Sequence, residues 1–552
     1  MTFKKIDFKN KNLWLHTIYA ILFVLIALAI VFFMIDCSQE LFGRLSYNLK
    51  EVYTADHALY FGVSKGLLAG LKPYRDMYEN KPPMIFLLGA ISFGLFKNYY
   101  LLNVLCFLSI LIICFVPLGF LIKKSINTKP NPLIAVLVGI IALFVSIILG
   151  MYGDLRSGEA QVELFGASTS MLCLLLLMFI KPSQKFYSPF IILVGVLFGI
   201  TAMFKEPHAV LLFFLILLFV RKDTLLNRLV YPIGYALITI LIILLCSNCI
   251  DSYFTIYLKN MLGSHINNYG SPWERMFDFR AIYNDLKNYS EYLPTLLIIL
   301  FVSDVVVLSY RTVFGENLEE RITHVTHLLI LVLSMYVSSF IIGLGGQYYN
   351  HHFAFGLPFY STLLLVFINE FPFEKTALFS EIKDNKIQWK KAVLTFLTIV
   401  FAYFSFSYSY NTIANRDEYE PDVANIERTE FMKKFNAYVD DICDCLGEDR
   451  YLFIGFNGWH SYGYGNHLPY GPNFAQDGAL FNDRNNYFCT TFLENLHKTN
   501  FIVSAYNNLG EIRNEVNEYI GEHFTIVKSA TEKEPIKPDI DLNGYLFYYR
   551  IK

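Results

Sequence analysis

Between residues 53 and 83 the chain reads YTADHALYFGVSKGLLAGLKPYRDMYENKPP, and Asp56, His57, Lys65, Arg75, Asp76, Glu79 and Lys81 all fall within it. Carboxylates and cations this close together suit a particular chemistry. A carboxylate can take the proton of an attacking hydroxyl. Lys, Arg or His can stabilise a phosphate as it leaves. The same mixture returns further along the chain, at Asp154, Arg156, Glu159 and Glu163, at Lys205 and His208, at His265, and at His351 and His352.

These residues sit in a chain built for lipid. Of its 552 residues 55% are hydrophobic and only 17% charged, with 51 Phe and 38 Tyr, against about 25% charged in soluble domains. A polytopic α-helical membrane protein is expected. The net charge of -2 gives no basic surface for nucleic acid. Lys4, Lys5, Lys9 and Lys11 precede an apolar run at 18–35, which reads as a first span entering from the cytoplasm. The run at 83–96 is too short to cross comfortably and is expected along the membrane surface. That choice lands 99–122 on Lys123, Lys124 and Lys129, as the excess of positive charge on cytoplasmic loops requires. Runs at 131–150, 164–180, 188–204, 209–220, 229–250, 293–310, 325–344, 353–369 and 392–410 follow, for about eleven spans. The run at 209–220 is short and reads as a half-helix starting near Pro207.

This topology places the charged clusters on the external face, mostly at the ends of spans. Ionisable groups at membrane depth are costly and commonly line a cavity. The ordinary alternative for any one of them is a helix anchor whose charge snorkels to the headgroups. For His57 and His352 packing or hydrogen bonding is the expected role, and for Arg44 and Lys50 contact with headgroups or solvent. The tail, 411–552, is polar and alternates strand-like runs (451–456, 501–506, 545–550) with helical patterns such as 424–440, which predicts a small α/β domain. The expected division is therefore a transmembrane module at 1–410, with its first external loop at 37–98, and an extracytoplasmic domain at 411–552. Cys443, Cys445 and Cys489 in the tail are open to a disulfide or to free thiols. Cys246 and Cys249 have CxxC spacing but no second pair.

The stretch beginning ADHALYFGVSKGLLAGLKPYRDMYENKPP resembles the first external loop of the GT-C glycosyltransferases, within them the protein O-mannosyltransferase and aminoarabinose-transferase-like group. Asp56, Gly70, Pro73, Tyr74, Asp76, Lys81, Pro82 and Pro83 match that pattern. Three further pieces match in order: GEAQVELFGAS, where Glu163 opens a span; MFKEPHAV, where Lys205 stands in a break between spans; and GGQYYNHHFAFGLP, where His351 and Pro358 fit. The resemblance covers about residues 15–370. His57 stands where the family usually has Glu or Gln, and Gln347 stands where Arg is common, which moves a phosphate contact to Lys205, Lys81 or His351.

The resemblance implies a membrane glycosyltransferase that moves a hexosyl or pentosyl group from a polyprenyl-phosphate donor to an extracytoplasmic acceptor, with inversion. The acceptor is open between a glycan, a lipid, a cell-wall polymer and a protein. It implies Asp56 as general base, with Glu163 a second catalytic carboxylate. Lys205, Lys81 and His351 would hold the donor phosphate, and Glu79, Tyr74, Asp76, Arg156 and Gln347 would line the substrate site. A divalent metal such as Mg or Mn could be held by Asp56, Glu79, Glu163 and a His. The composition, rich in Asn, Lys, Ile, Tyr and Phe, fits a bacterial origin, and the resemblance implies a plasma-membrane location and work on envelope glycans. The competing expectation is a transporter or flippase of a lipid-linked saccharide, which would also have many spans and charged cavities.

Overall fold

The structure, a computed structural model, describes residues 55–125, 161–263, 278–289, 293–344, 350–370, 423–455, 464–471, 483–504, 509–526 and 545–551, with 403, 407 and 481 singly. The first apolar run, the run at 131–150 and nearly all of 392–410 lie outside these residues.

Helix α1 (Ala55–Leu68) opens the charged stretch. It stops at Gly70, whose left-handed φ of 83° lets Leu71 N–H turn back onto the Gly66 carbonyl at 2.9 Å. After Pro82 and Pro83 comes α2 (Met84–Phe96), which ends at left-handed Lys97. The two helices meet closely: a Cβ at Gly89 would overlap the Ser64 side chain. Helix α3 (Tyr100–Ser125) packs on α4 (Val162–Leu177), and α4 is buried on nearly every side, packed also against α5 (Pro189–Phe204) and α6 (Glu206–Leu217).

Three of the described helices are long and apolar enough to cross a membrane: Leu226–Cys246, Leu293–Phe314 and Leu318–Gly343. The first begins with a π-turn and continues as α7 (Tyr231–Cys246). It leads into an irregular helical segment at 250–263 containing a second π-turn, Tyr253–Tyr257. Helix α8 (Phe279–Tyr289) precedes α9 (Leu293–Phe314) and α10 (Leu318–Gly343). A 3-10 stretch, Asn350–Gly356, enters α11 (Leu357–Glu370). Helices α4, α5 and α6 are shorter than the ~20 residues a lone crossing takes.

The C-terminal residues form a five-stranded sheet with strand order β2-β1-β3-β5-β4. Its strands are β1 (Arg450–Ile454), β2 (Leu468–Pro469), β3 (Phe501–Ser504), β4 (Phe524–Ile526) and β5 (Leu546–Arg550). β1 runs parallel to β2 and β3, and β5 is antiparallel to β3 and β4. Alternation along the strands supplies two apolar faces. Tyr451, Phe453, Phe501 and Val503 meet Phe435, Val439, Ile442 and Cys443, one stripe of α12 (Val423–Leu446). Leu452, Ile454 and Ile502 face the other way, into the core that includes α13 (Tyr487–Lys498) and α14 (Arg513–His523). The seven cysteines whose side chains are described, including Cys443, Cys445 and Cys489, are free thiols.

Candidate active site

The site begins at a break. α5 and α6 would be one helix but for Lys205, whose backbone is extended at φ -163°. Pro207 causes it: proline has no N–H to give the preceding turn, yet is well tolerated in the first turn of a new helix. The break turns the Lys205 ammonium to Glu163 in the first turn of α4, at 3.4 Å. The Glu163 side chain is 1% exposed and that of Lys205 16%, so the pair is largely buried, more fully on the carboxylate side. Lys81, His351 and His352 also stand near enough for their charges to act on the Glu163 carboxylate. Four sequence-distant pieces thus meet around one carboxylate, and all four belong to the motifs that carry the resemblance.

The first loop delivers Lys81. Tyr74 has a left-handed φ of 68° and is completely buried, with its N–H on the Met77 carbonyl at 2.6 Å. Its hydroxyl donates to the Lys81 carbonyl at 2.8 Å, which ties the turn to the cation that follows. The Lys81 ammonium lies 3.8 Å from buried Glu79 and 3.0 Å from the Asn80 amide oxygen. Asp76 accepts from Lys72 N–H at 2.8 Å and pairs with Arg75 at 3.0 Å, so its carboxylate is engaged within its own turn. Asp56 is in the first turn of α1. Its side chain, together with Arg156, Gln347, Asp154, Glu159 and His265, lies outside the described residues.

Glu163, His351 and His352 present ligand atoms within 4.8 Å of one another. Glu163 Oε1 faces Lys205, while Oε2 is buried with no hydrogen-bond partner among the described residues. That spare oxygen with two imidazoles fits a divalent cation that takes mixed oxygen and nitrogen donors.

The expected site residues omitted a layer beneath the cations. Glu206, next to Lys205, accepts from Tyr253 OH at 2.8 Å and Tyr257 OH at 3.3 Å. The two tyrosines are one helical turn apart and present one face, and Tyr257 packs on Tyr74 with ring centroids 4.7 Å apart. His208 is buried against Phe355 at 4.5 Å and fits only because position 166 is glycine, where a Cβ would strike its ring. The Glu206–Pro207–His208 triplet at a span break was the visible signal for both. The tyrosine partners carried no signal that near in sequence.

No family model matches the sequence, and no curated protein does. Among solved structures, the chain is similar to ArnT from Cupriavidus metallidurans bound to undecaprenyl phosphate, with a TM-score of 0.53 at 10% identity, over 94% of this chain and 97% of that one. The apo state of ArnT superposes more loosely, with a TM-score of 0.46 at 11% identity over 97% and 98% of the two chains. So does the archaeal oligosaccharyltransferase AglB from Archaeoglobus fulgidus, in complex with an inhibitory peptide and a dolichol-phosphate, at 0.44 and 11% over 94% and 76%. The ArnT likeness extends past the motif-bearing region into the C-terminal residues. At this identity the likeness is one of fold, shared with ArnT over nearly the whole chain.

Proposed function

We propose that the chain is an integral-membrane glycosyltransferase that moves a sugar from a polyprenyl-phosphate donor to an acceptor on the outer side of the membrane. The observation that carries this reading is the gathering of Lys205, Lys81, His351 and His352 around Glu163 at a broken helix. Lys205 and Lys81 each stand beside a buried carboxylate, Glu163 and Glu79, and with the donors of His351 and His352 the cluster suits an anionic guest. A phosphate brought there would meet donors already in place, which is what stabilises charge developing on a leaving group.

In this reading the acceptor hydroxyl attacks the anomeric carbon on the face opposite the lipid phosphate. The new carbon–oxygen bond forms as the bond to the phosphate oxygen breaks, which inverts the anomeric centre. The electron pair leaves with the lipid phosphate, which Lys205 and Lys81 hold. The hydroxyl proton passes to Asp56. A carboxylate with a pKa of about 3.9 is a weak base, but it serves once the hydroxyl acidifies in the transition state. Glu163 fixes the Lys205 ammonium. A divalent cation held by Glu163, His351 and His352 would supply further positive charge for the phosphate.

The experiment is turnover of a panel of polyprenyl-phosphate sugars by the purified protein, native beside Asp56→Asn, with membrane extract supplying acceptor. Native protein should transfer sugar from at least one donor, and Asp56→Asn should lower the rate by about 10²–10⁴-fold with fold and donor binding kept. Near-native turnover by the variant would remove Asp56 from the base role. No turnover on any donor by folded native protein would sink the transferase reading.

A further inference from the structure

The C-terminal residues are seated on the first loop. Gly471, just past β2, lies against the backbone of Asp76, where a Cβ would collide with the Asp76 carbonyl. The Asn495 amide donates to the Gly471 carbonyl and fixes that approach from α13. Tyr487, the first residue of α13, donates its hydroxyl to the Arg75 carbonyl at 2.7 Å. Phe488 meets the Tyr78 ring edge-on at 4.5 Å. The Lys65 ammonium of α1 donates to the Gly465 carbonyl at 3.0 Å. Two separate pieces of the tail thus grip residues 75–78.

The opposite side of the same turn is held by the 250–263 segment. Ser252 donates to the Pro73 carbonyl at 2.6 Å, and Asn260 donates to the Tyr78 hydroxyl. The turn is clamped between the two, and what it carries next is Glu79 and Lys81. Tyr74 links them directly through the Lys81 carbonyl.

We propose that the C-terminal segment is a positioning element: through Gly471, Tyr487 and Phe488 it fixes the 73–78 turn, and the turn fixes where Glu79 and Lys81 stand. These three are positioning residues, none of them touching the Glu163 cluster in the contacts above. The activity arm of the test rests on the proposed transferase reading; the exchange arm does not.

The full-length protein carrying Gly471→Ala is the test. Gly471 has no left-handed φ, so alanine there is not strained by its own φ and acts by pushing against the Asp76 backbone. Amide hydrogen exchange at residues 74–81 should quicken at least tenfold, while exchange across Leu293–Phe314 and Leu318–Gly343 stays native. The KM for donor should rise severalfold with the KM for acceptor unchanged. If alanine prevents folding, Tyr487→Phe with Phe488→Leu makes the same perturbation more gently and should shift exchange in the same peptide. Native exchange at 74–81 in a folded variant would overturn the proposal. So would faster exchange with an unchanged donor KM. If native protein turns over no donor, the transferase reading falls by itself, and the exchange result still decides whether the tail fixes the turn.

Discussion

Breaking the Glu163–Lys205 pair should cost more than its surroundings can absorb. At 3.4 Å and an effective dielectric of about 20, two unit charges attract by roughly 5 kcal/mol. Desolvation offsets much of that in the intact pair, but a single substitution leaves the other charge buried with the penalty and without the partner. Glu163→Gln or Lys205→Met should therefore each destabilise by about 3–5 kcal/mol. In the double variant neither charge remains, so its cost should fall short of the summed single costs by about 1–3 kcal/mol. Thermal unfolding in detergent reads this, at about 1 °C per kcal/mol for a chain of 552 residues. Each single variant should lose roughly 3–5 °C, and the double variant should lose visibly less than the sum. Single variants within about a degree of native, or strictly additive losses, would show that no buried pair is there and would refute the electrostatic reasoning behind the site.

Lys65, partly buried under the tail, has its ammonium pulled down to about 8 by burial, against a smaller opposing pull from Asp440. Between about 8 and 10.5 the unfolded chain then binds more protons than the folded one, so stability should rise as pH climbs through that window and be flat below it. Lys65→Met should flatten the rise, and a native unfolding temperature constant from pH 8 to 10.5 would contradict it. Zn²⁺ or Mn²⁺ at about a hundred times its dissociation constant should stabilise the native protein by about 2.7 kcal/mol and leave His351→Ala unmoved. A native protein whose unfolding temperature ignores both ions would rule out the Glu163–His351–His352 set as a metal site.

Local signals were the legible ones. The runs at 229–250, 293–310 and 325–344 appear as the three long apolar helices, because apolar length is a local property. Pro207 showed where a helix must restart, and the structure breaks there, at Lys205. The motif resemblance holds at the level of fold. What stayed hidden depends on distant partners. Tyr253 and Tyr257 matter only because Glu206 faces them, some fifty residues away. Tyr74 and Asp76 were expected at the substrate, but polar types in a motif do not reveal that the hydroxyl of one and the carboxylate of the other are engaged within the loop. The seat of Gly471 on Asp76 joins positions nearly four hundred residues apart, and a glycine beside a proline reads in sequence as an ordinary turn. Asp304 is the opposite case. It is a charged residue inside a long apolar run, readable as an anomaly, and it is buried on α9 with both carboxylate oxygens unpartnered among the described residues.

The extended Lys205 also isolates two helical phases from each other. In a continuous helix one inserted residue turns everything beyond it by about 100° relative to everything before. Here the hydrogen-bond ladder does not pass through the break, so Pro189–Phe204 and Glu206–Leu217 each keep their own angular setting. The apolar face of the second half can drift in length or register among related chains while the charged joint stays beside α4. Alignments that force one uninterrupted helix through 189–217 would place gaps in the wrong half and lose the lysine.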